Sequence, residues 1–218
     1  SWADDDVPSS GIAQVKHVVD QLAEYGRFDY IDCCGVLHHL PDPPAGFRAL
    51  RAALAPGGGL GFMVYAPYGR SGVYPLQEAF AALFQGLPPG ERLIRARQIV
   101  ADLPEGHPFR ANRNLSDHLT SEAGFYDLLL HAQDRAYDVP QLLEVLAETG
   151  WQLAGFATPA LYDLSRLTEV PEGMDPVTRM TLAEKLRGTI RVHTGYAVAQ
   201  GSPAGKASPA TRALVPHL

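Results

Sequence analysis

Cysteine is scarce in this sequence. Its only two cysteines, Cys33 and Cys34, are adjacent and sit in an apolar run. They form no disulfide framework, and a reducing, cytoplasmic setting fits them. No stretch approaches the roughly 18 uncharged apolar residues of a membrane-spanning helix. A signal peptide is also missing: the opening SWADDDVPSS has neither a basic n-region nor an apolar h-region. Because it begins with Ser1 and not Met, the chain is expected to start inside a longer protein. Positive charge is not in excess. Eighteen Lys+Arg against 24 Asp+Glu leave a net charge of −6, which argues against broad electrostatic binding to nucleic acid or an anionic membrane. The signatures GxSxG, HExxH, CxxC and the Walker loop are absent, so nothing supports a covalent-nucleophile hydrolase or a kinase. No internal repeat is found.

What is present is a globular composition. Over 218 residues, 46% are hydrophobic and 19% charged, enough for one sizeable core. The spacing of Ile12, Val15, Val18, Val19 and Leu22 predicts a helix over residues 9–25, with a short strand at 15–19 as the competing reading. Residues 28–37 begin as a buried strand that breaks at Gly35. Asp42-Pro43 then starts a helix carrying Phe47, Leu50, Ala53 and Leu54 on one face and stopping at Pro56-Gly57. Residues 58–66 read as a second buried strand. Strand, helix, strand makes a parallel βαβ unit, with both strands apolar on both faces as a helix-covered sheet requires.

Residues 67–139 are richer in polar and aromatic side chains. Helical pieces are predicted near 75–85, 90–102 and 120–132, as an insertion covering one end of the sheet. Pro140 opens a helix ending at Gly150, and a strand follows at 151–158. Asp175-Pro176 caps a helix ending at Gly188, and a last strand spans 189–200. The tail 201–218 is rich in Gly, Ala, Ser and Pro and is expected to be disordered. The expected division is an α/β core over 1–66 and 139–200, a helical cap over 67–138, and that tail.

Three groups invite a chemical reading. Gly57-Gly58-Gly59-Leu60-Gly61 matches a nucleotide-binding glycine string by letter, but it follows a helix and opens a strand, the reverse of the required order. A helix cap and tight turn is the expected role. Cys33, Cys34, His38 and His39 resemble a metal set, yet adjacent strand residues point to opposite faces, so no metal site is expected. The third group lies where open parallel sheets bind ligands, at the carboxyl ends of strands. There stand Gly35, Val36, His38 and His39 after one strand and Tyr65, Tyr68 and Arg70 after the next. A histidine there can serve as a base or orient a substrate; the alternative is a cap on the sheet. His107, Arg110, Asn112, Arg113, His118, Tyr126, Asp127, His131, Asp134, Arg135 and Tyr137 read as either a polar pocket or, preferably, a network holding the insertion on the sheet.

FDYIDCCGVLHHLPDP, followed by FRALRAALAPGGGLGFMVYAPYGR, resembles the second half of a class I S-adenosylmethionine-dependent methyltransferase. DRAYDVPQLLEVL extends the likeness, which covers residues 27 to about 199. The resemblance implies a Rossmann-like α/β sheet of order 3-2-1-4-5-7-6 with strand seven antiparallel. Residues 28–34, 59–66, 151–158 and 190–199 become strands four, five, six and seven, and the insertion falls between strands five and six. The fold is then N-terminally truncated. The glycine-rich loop after strand one and the acidic residue after strand two have no counterpart here. Asp4 matches the family's adenine-side Asp if residues 1–4 end strand three; Asp20 takes that place if VKHVVD is the strand. Cys34, Gly35 and Val36 match the stretch lining the methionine end of the cofactor. His38 and His39 match the paired histidines at the mouth of the site, and Tyr65, Tyr68 and Arg70 the stretch facing the acceptor.

The implied activity is methyl transfer from S-adenosylmethionine to a specific small molecule or single side group, not to bulk nucleic acid, with an upstream segment completing the sheet. The competing reading is a non-catalytic methyltransferase-like fragment acting as an interaction module. A nicotinamide-dependent oxidoreductase shares the sheet type, but no residue argues for it.

Overall fold

The computed structural model describes residues 26–131 and 134–202. Asp4, Asp20, the helix expected over 9–25 and the tail beyond Ser202 lie outside the described residues.

Strand β1 spans Phe28–Cys34. Helix α1, Pro43–Ala53, starts as expected: the Asp42 carboxylate accepts the Ala45 N–H at 3.0 Å, and Pro43 occupies a position where an N–H would go unpaired. Phe47, Leu50 and Ala53 form its buried face, and Leu54, just past its end, is buried with them. The helix ends at Ala53, short of Pro56, and strand β2 runs Leu54–Tyr65. The glycine string is therefore inside β2 and not a helix cap. Pairing jumps from Phe28–Leu54 to Tyr30–Gly59, and Gly57 takes φ +80° within that bulge. A β-carbon on Gly58 would lie 2.7 Å from the Asp29 carbonyl oxygen. Close backbone approach fixes Gly58, and the left-handed backbone fixes Gly57.

Five helices follow: α2 (Val73–Leu83), α3 (Pro89–Ala101), α4 (Pro108–Ala111), α5 (Asp117–Thr120) and α6 (Glu122–Leu129). They gather their own apolar cluster, with Phe80, Phe84, Phe109, Phe125 and Leu129 buried in it. The chain returns through α7 (Val139–Glu148), β3 (Trp151–Phe156), α8 (Pro176–Arg187) and β4 (Val192–Ala199). Asp138 and Gln141 form a reciprocal capping box on α7. Asp175 caps α8 through the Val177 and Thr178 N–H groups, and Gly188 ends it at φ +62°.

The sheet order is β1-β2-β4-β3. β1 and β2 are parallel, and β4 runs antiparallel to both neighbours. This is the order 4-5-7-6, with an antiparallel strand seven, that the resemblance implies. Leu60, Phe62, Val64 and Ala197 face a core shared with α1 and α7, where the Trp151 indole N–H donates to the Phe47 carbonyl at 2.9 Å. The opposite face differs from expectation. Asp32, Gly61 and Tyr196 are in register across three strands, and Tyr30, Asp32, Cys34, Thr194 and Tyr196 are all exposed. β1 thus alternates like a strand covered on one face, not two. Cys33 is buried and Cys34 exposed, on opposite faces as expected. No described helix is long and apolar enough to cross a membrane.

Candidate active site

β1 ends at Gly35, which takes φ +77° and donates its N–H to the Met63 carbonyl at 3.2 Å. The chain then makes one 3₁₀ turn, Leu37–His39. Fully buried Leu37 anchors that turn in the core, and the Arg135 N–H donates to the His38 carbonyl at 3.0 Å. Both histidines are thereby delivered to the carboxyl end of the sheet, beside Tyr65, the last residue of β2. The His38 and Tyr65 ring centroids are 3.8 Å apart, His38 and His39 are 4.2 Å apart, and His39 lies 4.6 Å from His131.

A buried ion pair lies against this cluster. Arg70, on the 3₁₀ turn Tyr68–Arg70 after β2, places its guanidinium carbon 3.7 Å from the Tyr65 ring centroid. Its Nη2 donates to Asp134 Oδ2 at 2.9 Å, and its Nε donates to the Tyr74 hydroxyl at 3.0 Å. The Gln77 amide donates to the same Asp134 oxygen and to the Leu128 carbonyl, both at 3.0 Å. The Tyr65 hydroxyl donates to Asp127 Oδ2 at 3.3 Å.

Burial sets the electrostatics. His38 is fully buried, and neither ring nitrogen has a hydrogen-bond partner. Desolvation, then the neighbouring His39, Arg70 and His131, lower its pKa to about 3; the Met63 backbone opposes them. His39 is less enclosed. Burial and then His131 lower its pKa, while Asp134 and Asp127 pull it back up. Both imidazoles are neutral at pH 7. Burial pushes the Tyr65 phenol up, so it remains a hydrogen-bond donor. The Cys34 thiol is raised to about 11 by desolvation, by its 3.0 Å hydrogen bond to Asp32 Oδ1 and by that carboxylate's charge.

His38, His39, Tyr65 and Arg70 therefore come together. Tyr68 does not: successive residues of its tight turn diverge, and it lines a cavity with Ser71, Asn112 and Gly188 instead. Cys34 lies on the exposed sheet face, Gly35 forms the turn, and Val36 packs against the main core. Among the described residues, no group of three His, Cys, Asp or Glu side chains is placed to hold a metal ion. Sequence reasoning gave no role to Tyr74 or Gln77. Their only signal was proximity to the Tyr-Gly-Arg turn. A second buried set, also unforeseen, joins β4 to α8: His193 contacts the Tyr162 hydroxyl at 2.8 Å, the Tyr137 carbonyl at 2.8 Å and Glu184 at 3.2 Å.

This topology is that of a methyltransferase-type α/β fold. Residues 3–130 match the methyltransferase domain family, and the chain belongs to that family. An uncharacterized protein of a Synechococcus strain is 35% identical over an alignment of 169 positions, which covers 72% of this chain and 40% of that protein. The chain thus spans about two fifths of the length of this relative. The structure of PKMT2 from Rickettsia typhi in complex with AdoHcy superposes with a TM-score of 0.62 at 15% identity, over 89% of this chain and 42% of that one. A second structure of PKMT2 gives 0.57 at 15% identity, over 82% and 36%. At that identity the likeness is one of fold.

Proposed function

We propose that this chain is the acceptor-facing part of an S-adenosylmethionine-dependent methyltransferase. The carrying observation is the cluster of His38, His39, Tyr65 and Arg70 at the carboxyl end of a sheet with this family's strand order. The residues at the end of β1 suit the methionine end of the cofactor. Gly35 turns the backbone without a side chain, and Cys34 stays a protonated thiol at neutral pH, not a thiolate competing for the methyl group. The adenine-side role belongs to Asp4, outside the described residues. When bound, the cofactor supplies a methyl group on a cationic sulfonium, open to in-line displacement by a nucleophile.

The protein's own contribution is positioning and proton removal. His39 is the base: its neighbouring carboxylates moderate the fall in its pKa. His38 is too weak a base for that task; fully buried, it packs its ring 3.8 Å from that of Tyr65 and so positions the tyrosine. Tyr65 and Arg70 form the wall on which the acceptor rests. The acceptor is a specific small molecule or single side group. The net charge of −6 supports that over bulk nucleic acid. An upstream segment of the same protein completes the sheet.

Calorimetric titration of S-adenosylhomocysteine into the chain tests the reading, followed by methyl transfer in the longer protein. Replacing both His38 and His39 with Ala is expected to leave cofactor binding intact and lower turnover by roughly 10²-fold or more. Unchanged turnover with intact binding removes the histidines from the chemistry. A folded chain that binds no S-adenosylhomocysteine, within a longer protein that also binds none, favours an interaction module. The pH profile adds a sign. Because His39 has a lowered pKa, the neutral base persists below the ordinary imidazole value of about 6.5. The acid limb of turnover should therefore lie below pH 6.5; a limb above it contradicts the assignment.

A further inference from the structure

The helical segment between β2 and β3 holds a cleft apart from the ring cluster. One half, a cavity of about 550 Å³, is walled by Val100, Phe109, Leu115 and Leu119. The other half, about 460 Å³, is lined by Tyr68, Ser71 and Asn114. Asn112 and Arg113 line both. None of His38, His39, Tyr65, Arg70 or Asp134 lines either half.

Asn112 is fully engaged in holding this junction. Its amide N–H groups donate to the Gly69 and Ser71 carbonyls at 3.1 and 3.2 Å, and its oxygen accepts the Asn114 N–H at 2.9 Å. Arg113, next along the chain, is exposed and has no ion-pair partner among the described residues. Arg110 adds a second guanidinium to the larger cavity; one of its N–H groups donates to the Leu103 carbonyl. Among the described side chains, no Asp or Glu lines either cavity. At the rim, Leu119 is 77% exposed, the most exposed large apolar side chain among the described residues. A protein of net charge −6 thus places two arginines against an apolar wall. Guanidinium forks of this kind pair with carboxylates and other oxyanions, and the wall gains by losing its contact with water.

We propose that this cleft binds an anionic amphiphile, with its carboxylate at Arg113 and its apolar body against Phe109, Leu115 and Leu119. The site is independent of the chemistry at the ring cluster. Decanoate is the probe, titrated by calorimetry into the full chain at low salt, with decyltrimethylammonium as the cation of matched length. Arg113→Glu and Leu119→Glu alter exposed side chains, and circular dichroism confirms that each variant folds. Each is expected to weaken decanoate at least tenfold, whereas Arg48→Ala on α1 leaves it unchanged and decyltrimethylammonium fails to compete. The proposal is overturned if decanoate does not bind the folded chain. It is equally overturned if both glutamate variants bind it as the parent does, or if the cation binds as well as the anion.

Discussion

Arg70→Met should be among the most damaging substitutions in this chain. The Arg70 side chain is 4% exposed and Asp134 is 0% exposed, with 2.9 Å between them. After the substitution, Asp134 keeps the Gln77 amide on Oδ2, while Oδ1 has no partner even in the parent. Removing one member of such a pair strands a buried charge and costs about 3–5 kcal/mol. The stacking of the guanidinium on Tyr65 is lost as well, at about 1–2 kcal/mol for a desolvated contact. With a urea m-value of about 2 kcal/mol/M, the unfolding midpoint should fall by about 2–3.5 M. The informative comparison is the double variant Arg70→Met, Asp134→Leu. Replacing both charges with apolar side chains removes the stranded carboxylate, so the double variant should be more stable than Arg70→Met alone and within about 2 kcal/mol of the parent. Equilibrium urea unfolding followed by circular dichroism reads all four proteins. A loss below about 1 kcal/mol for Arg70→Met would show that water reaches the pair. A double variant as unstable as the sum of the singles would show that the two side chains act separately, and either result refutes the reasoning.

Two further expectations follow from local geometry. Gly72 has φ +84°, and a β-carbon there would strike the Phe109 backbone, whereas Gly57 has φ +80° with open space around it. Gly57→Ala should cost about 1–2 kcal/mol for the left-handed conformation alone, and Gly72→Ala clearly more; equal losses in urea unfolding would show that the Phe109 segment yields. Cys34, although exposed, should be alkylated by iodoacetamide with a pH–rate midpoint near 11, because desolvation and Asp32 both disfavour its thiolate. Asp32→Asn should move that midpoint down, and a parent midpoint below 9 contradicts the account.

Much of the fold was legible because its punctuation is local. Asp42-Pro43, Asp175-Pro176 and Gly188 mark helix ends through hydrogen bonds within a few residues, so spacing alone finds them. The early start of β2 was not legible, since Leu54 pairs with Phe28 across a bulge and nothing near Leu54 announces it. The exposed face of β1 was misread for a related reason: Tyr30 and Cys34 look like core residues in a short apolar run, and their exposure depends on what covers the sheet. The site was legible in part. His38, His39, Tyr65 and Arg70 each stand at a strand end, and the parallel sheet sets those ends side by side. Asp134 and Gln77 were not, because Arg70 meets Asp134 across 64 residues of sequence. Tyr68 stands apart from them, because a tight turn sends its neighbours in different directions.

The molecule's two apolar clusters share no buried residue: one lies against the sheet and the other within the helical segment. Several of the bonds that fasten them together are polar and directional. Arg70 pairs with Asp134, Gln77 bridges Asp134 to the end of α6, the Arg135 N–H holds the His38 carbonyl, and the Tyr137 N–H holds the Tyr65 carbonyl at 2.9 Å. An apolar seam of the same area would hold as well or better, since a buried ion pair is a poor source of stability. It would not fix the angle of approach, because apolar contact is non-directional. The polar seam does, and it runs directly behind His38, His39 and Tyr65. If those rings only closed the end of the sheet, substitutions in the seam would change stability alone. If they orient an acceptor, Gln77→Leu, which keeps the side-chain bulk and removes two hydrogen bonds, should lower methyl-transfer turnover beyond what its loss of stability explains, with cofactor affinity unchanged.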